Sequence, residues 1–144
     1  MPQFKRFFVH RDIKCENVLV DAKGKVKLSD FSDSTHWRKD KLMTWFFGTL
    51  AYNFPGILQR KPYDERKADV WTMTMLFFKL ATGDLPFDAE EPDEILDLIK
   101  KQRFNFKPQV SQLETDLIYG GLGVSESKRP TASVFLVGVR LLVR

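Results

Sequence analysis

Residues 10–17 read His10-Arg11-Asp12-Ile13-Lys14-Cys15-Glu16-Asn17, and an Asp30-Phe31 pair follows after one short hairpin's length of chain. In this order one carboxylate, Asp12, can accept a hydroxyl proton, while the Asn17 amide and the Asp30 carboxylate supply the hard oxygen ligands a divalent cation takes. Lys14 then faces the charge on a transferring phosphoryl group. The set suggests phosphate chemistry.

The elements that must position these groups are legible nearby. Val18-Leu19-Val20 and Lys25-Val26-Lys27-Leu28 flank a turn at Asp21-Ala22-Lys23-Gly24, which predicts two strands joined by a hairpin that sets the distance between the carboxylates. From Asp69 to Leu80 the residues Val70, Trp71, Met73, Met75, Leu76, Phe77, Phe78 and Leu80 are apolar on most faces, which marks a buried central helix with Gly83 as its stop. Pro92-Asp93-Glu94 opens another helix with Ile95, Leu96, Leu98 and Ile99 on one side and Lys100 and Lys101 near its end. Ser111-Gln112-Leu113-Glu114 is a capping box, predicting a helix with Leu113, Leu117 and Ile118 inward. Gly120, Gly121 and Gly123 should make that helix end early, at about 1 kcal/mol per glycine relative to alanine. A last helix is expected around Thr131 to Val143.

With 43% hydrophobic residues and 13 Phe, the 144 residues can build one sizeable core. The 23 basic and 19 acidic residues give a net charge of +4, but the charges are dispersed rather than clustered with aromatics, which argues against a nucleic-acid surface. Cys15 is the only cysteine, so no internal disulfide can form, and a packed, inert thiol is expected there. The longest apolar runs, Met75 to Phe78 and Val134 to Val139, are too short to span a bilayer. These features together suggest a reducing, cytoplasmic setting with no membrane partner.

Further motifs carry a family resemblance. Gly48-Thr49-Leu50-Ala51-Tyr52-Asn53-Phe54-Pro55-Gly56, Asp69-Val70-Trp71 and Lys128-Arg129-Pro130-Thr131 follow the catalytic-loop phrase in order. The chain resembles the eukaryotic protein kinases from the catalytic loop to the end of the C-lobe. Lys14-Cys15-Glu16-Asn17-Val18-Leu19 and Gly83-Asp84-Leu85-Pro86-Phe87-Asp88 look most like the testis-specific serine/threonine kinases and the calcium/calmodulin-dependent group. The fold this implies is mainly α: a kinase C-lobe with a short β-hairpin carrying the catalytic loop and the Asp30-Phe31-Ser32 element. Residues 1–144 would form a partial kinase domain.

The resemblance also implies roles. Asp12 would be the catalytic base and Lys14 would stabilise the transferred phosphoryl group of ATP, with Asn17 and Asp30 holding magnesium. Thr49 would lie in the substrate-docking loop. With Lys14, Thr49 points to serine and threonine hydroxyls on protein substrates. His10, Arg11, Asp69 and Arg129 would be structural support, Asp69 by hydrogen-bonding the catalytic-loop backbone. Only nine residues precede His10, so no N-lobe with its Gly-rich loop and ATP-contacting lysine is expected in this chain. The isolated chain should therefore transfer phosphate weakly or not at all, and a missing lobe or a partner chain would be needed.

Three departures from the family pattern bear on activity. Ser32 stands where glycine is expected, and a left-handed serine would cost roughly 1–2 kcal/mol. Phe54-Pro55-Gly56 replaces Ala-Pro-Glu, which removes the glutamate expected to pair with Arg129. Arg129 should then be more exposed or rescued by another carboxylate. Trp45 takes the place where many relatives carry an activating phosphothreonine, and Thr44 beside it is a possible phosphosite whose phosphate would pair with Arg11, Arg38, Lys39 and Lys41. The run Trp45-Phe46-Phe47 suggests the alternative of a non-catalytic, pseudokinase-like interaction module, presenting this segment or the Pro92 to Phe106 region to protein partners. Otherwise the run would cover core left bare by a missing helix.

Overall fold

The structure is a computed structural model that describes residues 8–46 and 48–142. The first strand, β1 (Phe8–Val9), leads into the Asp12 loop, which closes in a single 3-10 turn over Cys15–Asn17. The hairpin β2 (Val18–Val20) and β3 (Val26–Leu28) follows, antiparallel, pairing Val18 with Leu28 and Val20 with Val26. The Asp21 carboxylate braces its turn by accepting the Lys23 and Lys25 N–H groups, both at 2.9 Å. Strand β4 (Thr35–His36) returns antiparallel to β1. The remaining elements are helical: α1 (Pro55–Leu58), α2 (Glu65–Thr82), α3 (Pro92–Lys101), α4 (Gln112–Gly121) and α5 (Ala132–Leu142). The architecture is mainly α with a small hairpin.

Helix α2 is the axis of the core. Val70, Trp71 and Met75 are inaccessible, and Phe78 nearly so. The indole of Trp71 stacks on Phe87 with ring centroids 5.8 Å apart, and Phe104 bridges Phe87, Phe78, Phe106 and Tyr119. Ile95 and Ile99 of α3 and Ile118 of α4 close the cluster. Two hydroxyls buried in α2 are satisfied within the helix, Thr74 donating to the Val70 carbonyl and Thr82 to that of Phe78.

Several boundaries differ from the sequence reading. Helix α2 begins at Glu65, capped by the Asp64 side chain accepting the Arg66 N–H at 2.9 Å, so Asp69 lies in its second turn rather than at its start. Gly83 does end it, in left-handed conformation at φ 89°, but Leu80 is 75% exposed. The capping box at Ser111 and Glu114 forms. Leu113, however, faces solvent, and α4 runs through Gly120 and Gly121. The reason is contact: a Cβ on Gly121 would fall inside the Thr74 side chain, so glycine is what lets α4 seat against α2. Packing gained at the crossing outweighs the helix-propensity cost. In α5 only Phe135 is buried, while Val134, Leu136, Val137 and Leu141 are exposed. Val143 and Phe47 lie outside the described residues.

Candidate active site

The Asp12 loop is held from below by α2. The Asp69 carboxylate accepts the backbone N–H groups of His10 at 2.7 Å and Arg11 at 2.8 Å. Burial pushes the Asp69 carboxyl up, against the pull of those two N–H groups. The bonds coincide with a left-handed Arg11 at φ 71°, a conformation that costs a side-chain-bearing residue about 1–2 kcal/mol and persists where its surroundings hold it. The buried His10 ring braces the loop's other side. Its Nδ1 accepts the Asp12 N–H at 3.3 Å, and with the proton on Nε2 it donates to the Ser29 carbonyl at 3.0 Å.

Asp12, Lys14, Asn17 and Thr49 form one connected set. Lys14 Nζ stands 2.7 Å from Asp12 Oδ2 and donates to Thr49 Oγ1 at 3.1 Å. Its ammonium is held above its ordinary value, chiefly by the hydrogen bond to Asp12. Asn17, buried, donates from Nδ2 to the Asp12 carbonyl at 2.8 Å and to Asp12 Oδ2 at 3.1 Å. That use of the amide nitrogen leaves Asn17 Oδ1 available as a ligand.

Asp30 is tied to the same set through its neighbour. Ser29 donates its N–H and its hydroxyl to the Asn17 carbonyl, at 2.8 and 3.0 Å. Asp30 is exposed and left-handed at φ 57°. Ser32 is not left-handed, so the cost that the sequence reading attached to that conformation does not arise there; the positive φ falls on Asp30, a residue type that tolerates it better. Ser32 has another part: its hydroxyl donates to Asp30 Oδ1 at 2.7 Å, and with its N–H it holds the Asp30 carboxyl below its ordinary value, Lys14 and His10 contributing less. An ionised carboxylate and a free amide oxygen make a hard oxygen donor set, which fits magnesium and its usual completion by water and phosphate oxygens.

Arg11, expected to pair with a phosphate on Thr44, meets a carboxylate and a carbonyl. Arg11 Nη1 lies 3.5 Å from Glu65 Oε1, and its Nε donates to the Asp33 carbonyl. Thr44 is exposed, as are Arg38, Lys39 and Lys41. Trp45 is 68% exposed and Phe46 37%, so the described part of that aromatic run does not cover core. The Trp45 carbonyl nonetheless accepts the Tyr63 hydroxyl at 3.0 Å. Cys15 is half-buried, and Tyr52 near it is pushed up to about 12, by burial first and the cysteine second.

Arg129 corrects the sequence reading outright. It is 2% exposed, and among the described residues no carboxylate forms an ion pair with it. Instead Nε donates to the Gly123 carbonyl at 3.1 Å and Nη1 to the Lys67 carbonyl at 3.2 Å, while Lys67 Nζ donates back to the Arg129 carbonyl. The guanidinium carbon lies 5.0 Å from the Trp71 ring and 5.2 Å from that of Phe54. Burial pushes Arg129 down to about 10, with Glu126 opposing. A Cβ on Gly56 would collide with the Phe54 ring, so the two changes in Phe54-Pro55-Gly56 belong together: the ring occupies the place where a side chain at 56 would begin.

Glu65 was not singled out from sequence, and neither the Ser32 hydroxyl's bond to Asp30 nor the seat that Gly121 gives Thr74 was read there. A glutamate beside a helix N-terminus is commonplace, and only contacts across 54 residues reveal what Glu65 meets.

Comparison with known proteins agrees with this geometry. The family described as Protein kinase domain matches residues 3–137. Testis-specific serine/threonine-protein kinase 5 of Mus musculus is 38% identical over 123 residues, covering 84% of this chain and 32% of that protein. Sperm motility kinase 2B of Mus musculus is 33% identical over 129 residues, covering 90% and 27%. CBL-interacting serine/threonine-protein kinase 13 of Arabidopsis thaliana is 38% identical over 116 residues, covering 76% and 23%. The chain spans about a third or less of the length of these relatives. With a family match over nearly its whole length, the chain belongs to the protein kinase domain family.

Proposed function

We propose that this chain is the catalytic-loop and C-lobe portion of a serine/threonine protein kinase, acting on hydroxyl groups of protein substrates. The observation that carries the reading is the connected set of Asp12, Lys14, Asn17 and Thr49, with Asp30 tied in through Ser29. Asp12 would orient the substrate hydroxyl and accept its proton, held ready by Asn17. Lys14, already between Asp12 and Thr49, would meet both the docked hydroxyl and the phosphoryl oxygens. Asn17 Oδ1 and Asp30 would hold the metal. Bound Mg-ATP would supply the phosphoryl group and neutralise its charge. Phosphoryl transfer depends on positioning, and this chain offers the floor of such a site without a recognisable Gly-rich loop, so the isolated chain should turn over ATP weakly. A cytoplasmic setting accords with the single cysteine and with the absence, among the described residues, of a helix long and apolar enough to cross a membrane. Thr44, exposed beside a basic run, remains the proposed phosphosite, and phosphopeptide mapping of the parent protein would test it.

The test is the melting temperature of the purified chain with and without Mg-ATP, with Asp30→Asn as control. A ligand that binds only the native state stabilises it by about 2.7 kcal/mol at a hundred times its Kd. A rise in the parent but not in the control supports the site. A cooperative melt indifferent to Mg-ATP would favour the interaction-module reading, for which the exposed Trp45 and Phe46 speak. Their replacement by alanine would then abolish partner binding without lowering stability.

A further inference from the structure

Arg11 joins three parts of the chain: its backbone N–H is bound by Asp69, its Nε reaches the Asp33 carbonyl, and its Nη1 meets Glu65. Its side chain is 15% exposed and that of Glu65 6%. At such burial an unbalanced charge is costly, and the pair lets each group offset the other's charge. Glu65 and Asp69 stand four apart on α2, hence on one face. One reads the Arg11 side chain and the other its backbone.

The residues around Glu65 hold the same neighbourhood by other means. Met43 and Tyr63 exchange two backbone hydrogen bonds, at 2.8 and 3.0 Å, and the Tyr63 hydroxyl donates to the Trp45 carbonyl. The Arg66 guanidinium lies 3.8 Å over the Trp37 ring. Within the four residues Tyr63 to Arg66, the chain thus engages Arg11, Trp37, Met43 and Trp45. Thr44 sits between two of the residues so held. On its other side Glu65 shares a cavity of about 110 Å³ with Arg38 and Lys41, so its carboxylate answers cations from both the loop and the segment.

We propose that Glu65 is the resident counter-charge of Arg11, a positioning residue that fixes the Asp12 loop and the segment from Asp33 to Phe46 without a phosphate on that segment. A phosphate on Thr44 would be repelled by Glu65 and would have to displace it to reach Arg11. It would find Arg38, Lys39 and Lys41 instead, adding charge neutralisation to a latch already closed. The inference rests on the reading of Asp12 as the reaction centre only for its consequence. Its test reads loop geometry alone, and the Mg-ATP shift above reads Asp30, so either can fail without the other.

Amide hydrogen exchange by mass spectrometry on the 144-residue chain tests it, comparing the parent with Glu65→Gln, Arg11→Gln and the double variant. Each single change is expected to speed exchange in residues 33–46 by about tenfold or more, and the double variant to add nothing beyond the larger single effect. Unchanged exchange in Glu65→Gln overturns the proposal, as do single effects that multiply in the double variant. Should Glu65→Gln fail to melt cooperatively, the double variant decides. Recovery of folding supports the pair, because the charge that Glu65 balances is removed along with it, whereas an equally unfolded double variant refutes it. Phosphate installed on Thr44 of the parent should change that exchange by less than about twofold, and a slowing of about tenfold would show the latch to be incomplete.

Discussion

Two arginines dock near the first turns of α2, and they are satisfied by different chemistry. Arg11 meets a carboxylate and a carbonyl, in a loop whose other anchors, Asp69 and His10, are also polar. Arg129 meets two carbonyls and two aromatic rings, deeper in the fold. The difference shows that a buried guanidinium does not need an anion; it needs acceptors for its forked N–H groups and a polarisable face for its plane. Removing a glutamate from the Ala-Pro-Glu pattern is therefore tolerable when the same three residues bring in Phe54. It also separates the two regions by purpose. The ionic anchors fix groups that would face substrate, whereas the aromatic one fixes helices to each other.

The comparison breaks most clearly at Arg129. Arg129→Ala should cost about 3–5 kcal/mol, since it removes the donor to the Gly123 carbonyl and the second donor to that of Lys67, and opens a hole beside Phe54 and Trp71. Urea denaturation of parent and variant measures it, and a loss below about 1 kcal/mol would mean the rings and carbonyls carry little. A smaller effect is expected from Gly56→Glu. Although it restores the glutamate of the family pattern, it should destabilise by about 1–3 kcal/mol because its Cβ enters the Phe54 ring. The double variant Phe54→Ala, Gly56→Glu should recover part of that loss. A stabilising Gly56→Glu single variant would show that an ion pair is better than the ring after all.

The smallest effect sharpens the ionic side. Ser32→Ala should let the Asp30 carboxyl rise toward the ordinary 3.8, because the hydroxyl is the largest influence holding it lower. The sign follows from linkage: a depressed carboxylate contributes stability above its unfolded value and loses it as pH falls through the folded one. The variant should thus melt slightly lower than the parent at neutral pH and indistinguishably from it in acid below both values. An NMR titration of Asp30 that does not move in Ser32→Ala would remove this role.

Much of this arrangement was legible in the sequence where the signals are local. The hairpin followed from alternation and the turn at Asp21, and the helix starts at Pro92 and Ser111 from proline and the capping box. The grouping of Asp12, Lys14 and Asn17 rested on one contiguous motif, and the fold class on several motifs following it in order. What failed was tertiary. Gly121 reads as a helix breaker until Thr74 is known to lie against it, and Leu113 reads as core because its neighbours on the helix are. Arg129, its family glutamate gone, was expected to be exposed or to find another carboxylate, because carbonyls and ring faces brought from Gly123, Lys67, Phe54 and Trp71 leave no local signal. Glu65 carried no signal, because its partner stands 54 residues earlier.

The bond between Asp69 and His10 spans 59 residues, which matters for a chain made from its N-terminus. At about 5–20 residues per second, a ribosome needs roughly 3–12 s after adding His10 to reach the residue that fixes it. The left-handed turn at Arg11 is thus not enforceable during that interval. The Asp12 loop must wait as an unanchored strand, with the exposed apolar residues Leu19, Val20 and Val26 of its hairpin in company. The order of synthesis makes the site's floor emerge well before the helix that sets it, a natural point for a chaperone to act.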